Sequence, residues 1–174
     1  MSKKIIALTG AGISKASGIP TFEEVPGLKE KLTLDCRHNH PKEFVRAYED
    51  MRYKVVDAEP NDAHFALNDF NVPVVTMNVD GLHQKAGSKR VYELHGNIID
   101  DDVVLYGQPI RFFKESMDLI KSCGKGDILM IIGTSMKTSF ANELRNLAIY
   151  NGMMVKEINE NAETEVRKFL KSLG

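Results

Sequence analysis

The residues able to do chemistry fall in short polar clusters that directly follow apolar runs. Asn78 and Asp80 stand two apart just after Val72-Pro73-Val74-Val75-Thr76. A carboxamide both donates and accepts and a carboxylate accepts, so the pair suits an amide-bearing ligand; a turn that caps the next helical segment would use the same residues. His95, in Glu93-Leu94-His95-Gly96-Asn97, ends another apolar stretch. Imidazole is the usual general base near neutral pH, although His38, His40, His64 and His83 compete for that role. Gly10-Ala11-Gly12-Ile13-Ser14 follows a third apolar run. Its backbone N–H groups could face a pyrophosphate at a helix start, or the segment could be an ordinary strand-to-helix turn. The glycine spacing of hydride-transfer enzymes is not met, because Lys15 stands where the third glycine would be.

Elements that would position these clusters are legible from hydrophobic period. Apolar runs at 5–8, 72–76, 91–94, 103–106, 127–132 and 153–158 predict strands. Phe44, Tyr48, Met51 and Val55 share one face of a helix starting near Pro41. Ala63, Ala66, Leu67 and Phe70 do so after Asn61, a good N-cap. Three further faces follow: Phe113, Met117 and Ile120; Phe140, Leu144, Leu147 and Ala148; Val166, Phe169, Leu170 and Leu173. Greasy strands separated by helices predict an α/β fold with a doubly wound parallel sheet covered on both faces. Ligands of such sheets bind at the carboxyl ends of the strands, which is where 10–22, 76–83 and 133–135 fall.

Composition narrows the class. A chain of 174 residues is expected to form one domain, and its 43% hydrophobic and 27% charged content excludes disorder, collagen and coiled coil. A net charge of -1 gives no global attraction to nucleic acid or anionic membrane. Cys36 and Cys123 are far apart with no Cys-x-x-Cys, which predicts neither disulfide framework nor thiolate zinc site and suits a reducing compartment. Only four apolar residues precede Thr9-Gly10, too few for a signal peptide, so a cytoplasmic protein is expected.

Read together and in order, the motifs resemble the sirtuin family of NAD-dependent protein lysine deacylases. The likeness rests on Gly10-Ala11-Gly12-Ile13-Ser14 with Ser17-Gly18-Ile19-Pro20-Thr21-Phe22, and on Pro60-Asn61 before His64. It continues through Asn78-x-Asp80-Gly81-Leu82-His83, Glu93-Leu94-His95-Gly96, Gly133-Thr134-Ser135 and Ile158-Asn159. The resemblance implies a Rossmann-like sirtuin fold over 1–174, with a reduced helical region at about 23–60, and NAD as cofactor. It assigns the pyrophosphate and nicotinamide-ribose region to Gly10, Ala11, Gly12, Ser14, Thr21 and Phe22. Asn78 and Asp80 would line the nicotinamide pocket and help eject nicotinamide, and Met77 would stand at the ribose. Gly133, Thr134, Ser135 and Asn159 would meet the phosphate and adenosine. His95 would be the general base that helps a ribose hydroxyl attack after the acyl oxygen has displaced nicotinamide. The 103–107 segment, with Val104, Tyr106 and Gly107, would pair with an extended acyl-lysine peptide as an added strand.

Departures from the family pattern are equally specific. Only residues 97–102 separate the His-Gly motif from the Val-Val segment, so the four-cysteine zinc module is missing and no metal is expected. Glu23 stands where the family has Arg near the cofactor, Met77 where it has Gln, and Gln108 where Glu is common. In sirtuins that take acidic acyl groups a Tyr-x-x-Arg precedes the Pro-Asn motif; here Tyr48 matches and Met51 replaces the Arg, with Arg52 one residue on. Neutral acyl groups are therefore expected. NAD hydrolysis, ADP-ribosyl transfer and non-catalytic NAD or ADP-ribose binding are the competing functions.

Overall fold

A computed structural model describes residues 3–174. Five parallel strands form one sheet in the order β3-β2-β1-β4-β5, with β1 Ile5–Thr9, β2 Val74–Thr76, β3 Val91–Glu93, β4 Ile128–Ile132 and β5 Met154–Ile158. The register aligns Leu8 with Val75 on one side and Ile131 on the other. The chain builds one half of the sheet outward from β1 and then returns to build the other half. The loops leaving β1 and β4 therefore diverge and open a crevice at the sheet's carboxyl edge.

Central strands are apolar throughout because both faces are covered. Ile128, Met130 and Ile132 of β4 join Ala7 of β1 against α4 (Asp62–Asp69) and α8 (Ala162–Lys171). Leu129 and Ile131 alternate to the opposite face, with Ile6 and Leu8, against α6 (Phe113–Lys121) and α7 (Ser139–Tyr150). A third, smaller cluster ties α3 (Pro41–Val56) to the crevice through Leu32, Ala47, Met51, Val55 and Ile98. Half-buried Phe22, Tyr48, Val79, Val103 and Tyr106 complete it. Two short helices, α1 (Leu28–Lys31) and α2 (Leu34–Asn39), lead into α3, and a single turn, α5 (Leu82–Lys85), follows Asp80.

Two expectations need correction. The run at 103–106 is not a strand of the sheet: Val104 N–H donates inward to His95 O at 2.8 Å and Tyr106 N–H to Leu32 O at 3.2 Å. Only an isolated bridge between Thr33 and Tyr106 resembles a ladder. The run is apolar as read but packs against the helical layer, because a turn at Gly96 carries the chain off the sheet. Gly96 has φ +71°, and a Cβ there would sit 1.7 Å from Asp102 O, so the turn excludes any side chain. The second correction is at β2, which begins at Val74 rather than 72, since Pro73 has no N–H to give a ladder.

Candidate functional site

The glycine-bearing segment after β1 folds into a 3₁₀ helix, Ala11–Ser17, rather than a regular α-helix. Its glycines serve close approach between loops. A Cβ on Gly12 would lie 2.6 Å from Gly133 Cα, and one on Gly10 would lie 2.8 Å from Gly133 O. Gly10 N–H donates to Ile132 O at 3.0 Å and Gly12 N–H to Gly133 O at 2.8 Å. The expectation that these N–H groups face a pyrophosphate thus fails at both glycines: they stitch the β1 loop to the β4 loop instead. Gly133 N–H donates to Ile158 O at 2.9 Å and Thr134 N–H to Asn159 Oδ1 at 3.2 Å, which draws Asn159 onto the same crest. Ser135 is exposed beside them.

Below this crest lies a tight polar cluster. Asp80 is 7% exposed; its Oδ2 accepts from Ser14 Oγ at 2.7 Å and from Asn78 Nδ2 at 3.2 Å. Its Oδ1 accepts from Leu82 N–H at 3.0 Å. Asn78 Nδ2 also reaches Gly10 O, so β1, β2 and the 3₁₀ segment meet at one amide. Asn61 caps α4 through Ala63 N–H and sends its own Nδ2 to Ile13 O at 2.8 Å, anchoring the 3₁₀ segment from behind. These groups open into a cavity of about 520 Å³. Ala11, Ser14, Asn78 and Asp80 line its polar end, while Ile19, Phe22, Leu28, Ala47, Met51 and Val55 line the rest. Thr21 borders this region with its N–H and hydroxyl both given to Glu24. Met77 is half-buried, and its sulfur accepts from Thr138 Oγ1 at 3.5 Å.

His95 sits outside that lining, at the turn between β3 and the extended segment, with its ring centroid 6.4 Å from that of Tyr106. Burial lowers its pKa from the ordinary histidine value, and a hydrogen bond with the Val104 backbone offsets part of the effect. The ring is therefore neutral at pH 7 and able to accept a proton. Burial likewise raises the pKa of Tyr106. Val104, Tyr106 and Gly107 lie on one segment beside His95, but Val104 and Tyr106 have their N–H groups turned inward, and Leu105 N–H is held by Gln108 Oε1 at 2.8 Å.

Several site features escaped the sequence reading. Glu23 forms an ion pair with Lys137, linking the 20–26 loop to the loop after β4. Arg52, one residue past Met51, is taken by Asp101 at 2.9 Å. The rings of His64 and His83 lie 4.9 Å apart, tilted at 57°; His64 Nδ1 accepts from Asn61 N–H, and His83 Nε2 shares a hydrogen bond with Thr9 Oγ1 at 3.0 Å. Their remaining ring nitrogens have no partner among the described residues. Burial pushes the His64 pKa down to about 4 and that of His83 well below its usual range. Only the position of His64 three residues after a capping Asn signalled this pair, as a capping box does. Among the described residues no three His, Cys, Asp or Glu side chains converge as metal ligands, and no helix is long and apolar enough to cross a membrane.

A doubly wound parallel sheet with an amide-and-carboxylate pocket at its switch point defines a nucleotide-crevice α/β protein with a helical layer over the crevice. A match to the Sir2 family covers residues 10–101, and the chain belongs to that family. It is 33% identical to the NAD-dependent protein deacylase 1 of Caldanaerobacter subterraneus subsp. tengcongensis, over 96% of this chain and 86% of that protein. It is 32% identical to the NAD-dependent protein deacetylase of Sulfolobus acidocaldarius, over 87% of this chain and 77% of that protein. The first match spans 212 aligned positions, more than the 174 residues here, so the relative holds internal segments that this chain lacks. A solved structure described as the basis for the mechanism and regulation of Sir2 enzymes superimposes with a TM-score of 0.83 at 27% identity, covering 99% of this chain and 93% of that one. A complex described as Sir2, p53 peptide and NAD+ reaches 0.86 at 24% identity, covering 98% and 93%, which supports the fold.

Proposed function

We propose that this protein is an NAD-dependent protein lysine deacylase that releases nicotinamide and passes the acyl group to ADP-ribose. The observation that carries the reading is the cavity whose polar end is Asn78, Asp80 and Ser14 and whose wall continues along α3. A buried carboxylate and carboxamide, oriented by Ser14 and Leu82, are chemically fit to pair with a carboxamide. NAD, when bound, supplies an activated glycosidic bond. Asn78 and Asp80 would hold its carboxamide, Ala11 and Phe22 would exclude water from the ring, and Gly10, Gly12 and Gly133 keep the two loops at the separation the crevice needs. Met77 and Thr21 would border the ribose; Thr134, Ser135 and Asn159 would meet the adenosine side. His95, neutral and half-buried, would take the proton from a ribose hydroxyl. An extended peptide would lie along 104–107, past Val104, Tyr106 and Gly107, and would need the Val104 and Tyr106 N–H groups to leave their bonds to His95 and Leu32 before it could pair with them.

The reading treats 1–174 as one sirtuin-like domain with a reduced helical region at about 23–60, cytoplasmic and without zinc. What supports the last two is that Cys36 and Cys123 are both free, buried in separate parts of the fold, and that a six-residue connection replaces any zinc-binding insertion. Neutral acyl groups are the expected substrates. Met51 lines the cavity and Tyr48 packs into the third cluster, while Arg52 is engaged with Asp101. The cavity lining also carries Lys31, Arg46 and Lys54 together with Glu43 and Asp50. Incubation with NAD and acetyl- or succinyl-lysine versions of one peptide tests all of this. Nicotinamide and acyl-ADP-ribose should appear together, faster from the acetyl peptide. Nicotinamide without peptide would indicate a hydrolase, and neither product a binding module.

A further inference from the structure

Several main-chain donors of the crevice are already spent. Gly10, Gly12 and Ile13 spend their N–H groups on Ile132, Gly133 and Gly10 carbonyls. On the facing loop, Gly133 N–H is bonded to Ile158 O, Thr134 N–H to Asn159 Oδ1 and Met136 N–H to Thr134 Oγ1. A dianionic pyrophosphate lying between these loops needs positive charge from a side chain. Glu23, immediately after the cavity-lining Phe22, supplies the opposite sign. Two lysines stand on the two rims. Lys15 is bound to Glu24 at 2.7 Å on its own side of the crevice. Lys137 leaves the β4 loop, four residues past Gly133, and reaches across to Glu23. Met136 before it takes φ +56°, a left-handed turn that re-aims the chain at this point. The same loop touches the other wall through Thr138 and Met77.

We infer that Lys137 is the pyrophosphate-binding cation of this protein, delivered from the β4 loop in place of a cation on the 20–26 loop, and parked on Glu23 until the dinucleotide arrives. The inference rests on the NAD reading above. Both side chains are largely exposed, at 72% and 61%, and exposed ion pairs are weak, so a phosphate with two charges competes successfully for the ammonium. Glu23 then acts against the cofactor by like charge, while holding the 20–26 loop near the crevice when it is empty.

Calorimetric titration of NAD and of ADP-ribose into the wild-type protein and the variants K137Q, K137R, E23Q, K15Q and E23Q/K137Q tests this without relying on turnover. K137Q should bind both ligands about tenfold more weakly and flatten the salt dependence of the dissociation constant, and K137R should restore most of the loss. E23Q should bind both ligands more tightly than wild type, and K15Q should stay within about twofold of it. The K137Q loss must persist in the E23Q background, because the contact is with the phosphate. A loss seen only when Glu23 is present would mean that Lys137 merely positions the loop, and would overturn the inference. So would an unchanged K137Q, or a K15Q as weak as K137Q. Wild-type protein that binds neither ligand would overturn the NAD reading itself, and the inference with it.

Discussion

The two sides of the crevice are made of different material. On the sheet side, β1 and β4 are buried through two clusters of fourteen and thirteen residues, and the polar groups at their ends are stitched together by Gly10, Gly12, Asn78 and Asp80. On the helical side, five buried residues and a set of half-buried aromatic and aliphatic groups hold α1 to α3 and the 103–107 segment. Ion pairs such as Arg52–Asp101 and Arg111–Asp102 fasten that side from the surface, where each contributes little. On the proposed function, the dinucleotide end is preorganised by dense packing, whereas the peptide and acyl end is a lightly anchored cover. Recognition of an invariant cofactor suits the first, and admission of a variable protein segment suits the second.

Substitutions should separate the two sides, and the largest effect is chemical. His95→Ala should lower acyl transfer by about 10²–10⁴-fold while NAD affinity in calorimetry stays near wild type, since the ring lies outside the cofactor cavity. Comparable loss of NAD affinity would merge the two ends into one unit. Next in size, Ile131→Ala should cost about 4 kcal/mol in urea unfolding, because a fully buried strand position between packed layers cannot collapse around the void.

The buried His64–His83 pair makes the sheet side acid-sensitive. A histidine whose folded pKa is about 4 and whose unfolded value is near 6.5 stays neutral in the fold while the unfolded chain takes up a proton. Stability is therefore complete above pH 6.5 and falls as pH drops toward 4, by about 3 kcal/mol for this group. Denaturant unfolding across that window should show the fall, and His64→Gln should flatten it. The smallest effect is expected on the cover: Met51→Ala, half facing the cavity, should cost about 2 kcal/mol, near half of the Ile131 value. Equal costs at the two positions would erase the contrast.

How much was legible in the chain itself follows the same division. The run at 127–132 was the strongest strand signal and is the strand Ile128–Ile132, and Phe44, Tyr48, Met51 and Val55 lie on one helix as their spacing predicts. Local period carries that information, so sheet class, helix faces and the clusters at strand ends were readable without coordinates. Asn78 and Asp80 were singled out by residue type and place after a strand, Ser14 by the family resemblance, and the three do meet. The 103–106 run was misread because a short apolar run says that a segment is covered, not what covers it; the turn at Gly96 hands it to the helical layer instead of the sheet.

Pairings across long sequence separation were decided by the tertiary structure alone. Nothing near Glu23 in the chain announces Lys137, 114 residues on, and no local pattern joins His64 to His83 or Asn61 to Ile13. The glycines after β1 stood, by their place after a strand, as either a phosphate loop or an ordinary turn, and the Gly10 and Gly12 donors were taken by β4 and its loop once β1 and β4 lay side by side. Backbone period depends on a residue's nearest neighbours and is written in the sequence. Which donor meets which acceptor depends on how the layers pack, and that exists only once the chain has folded.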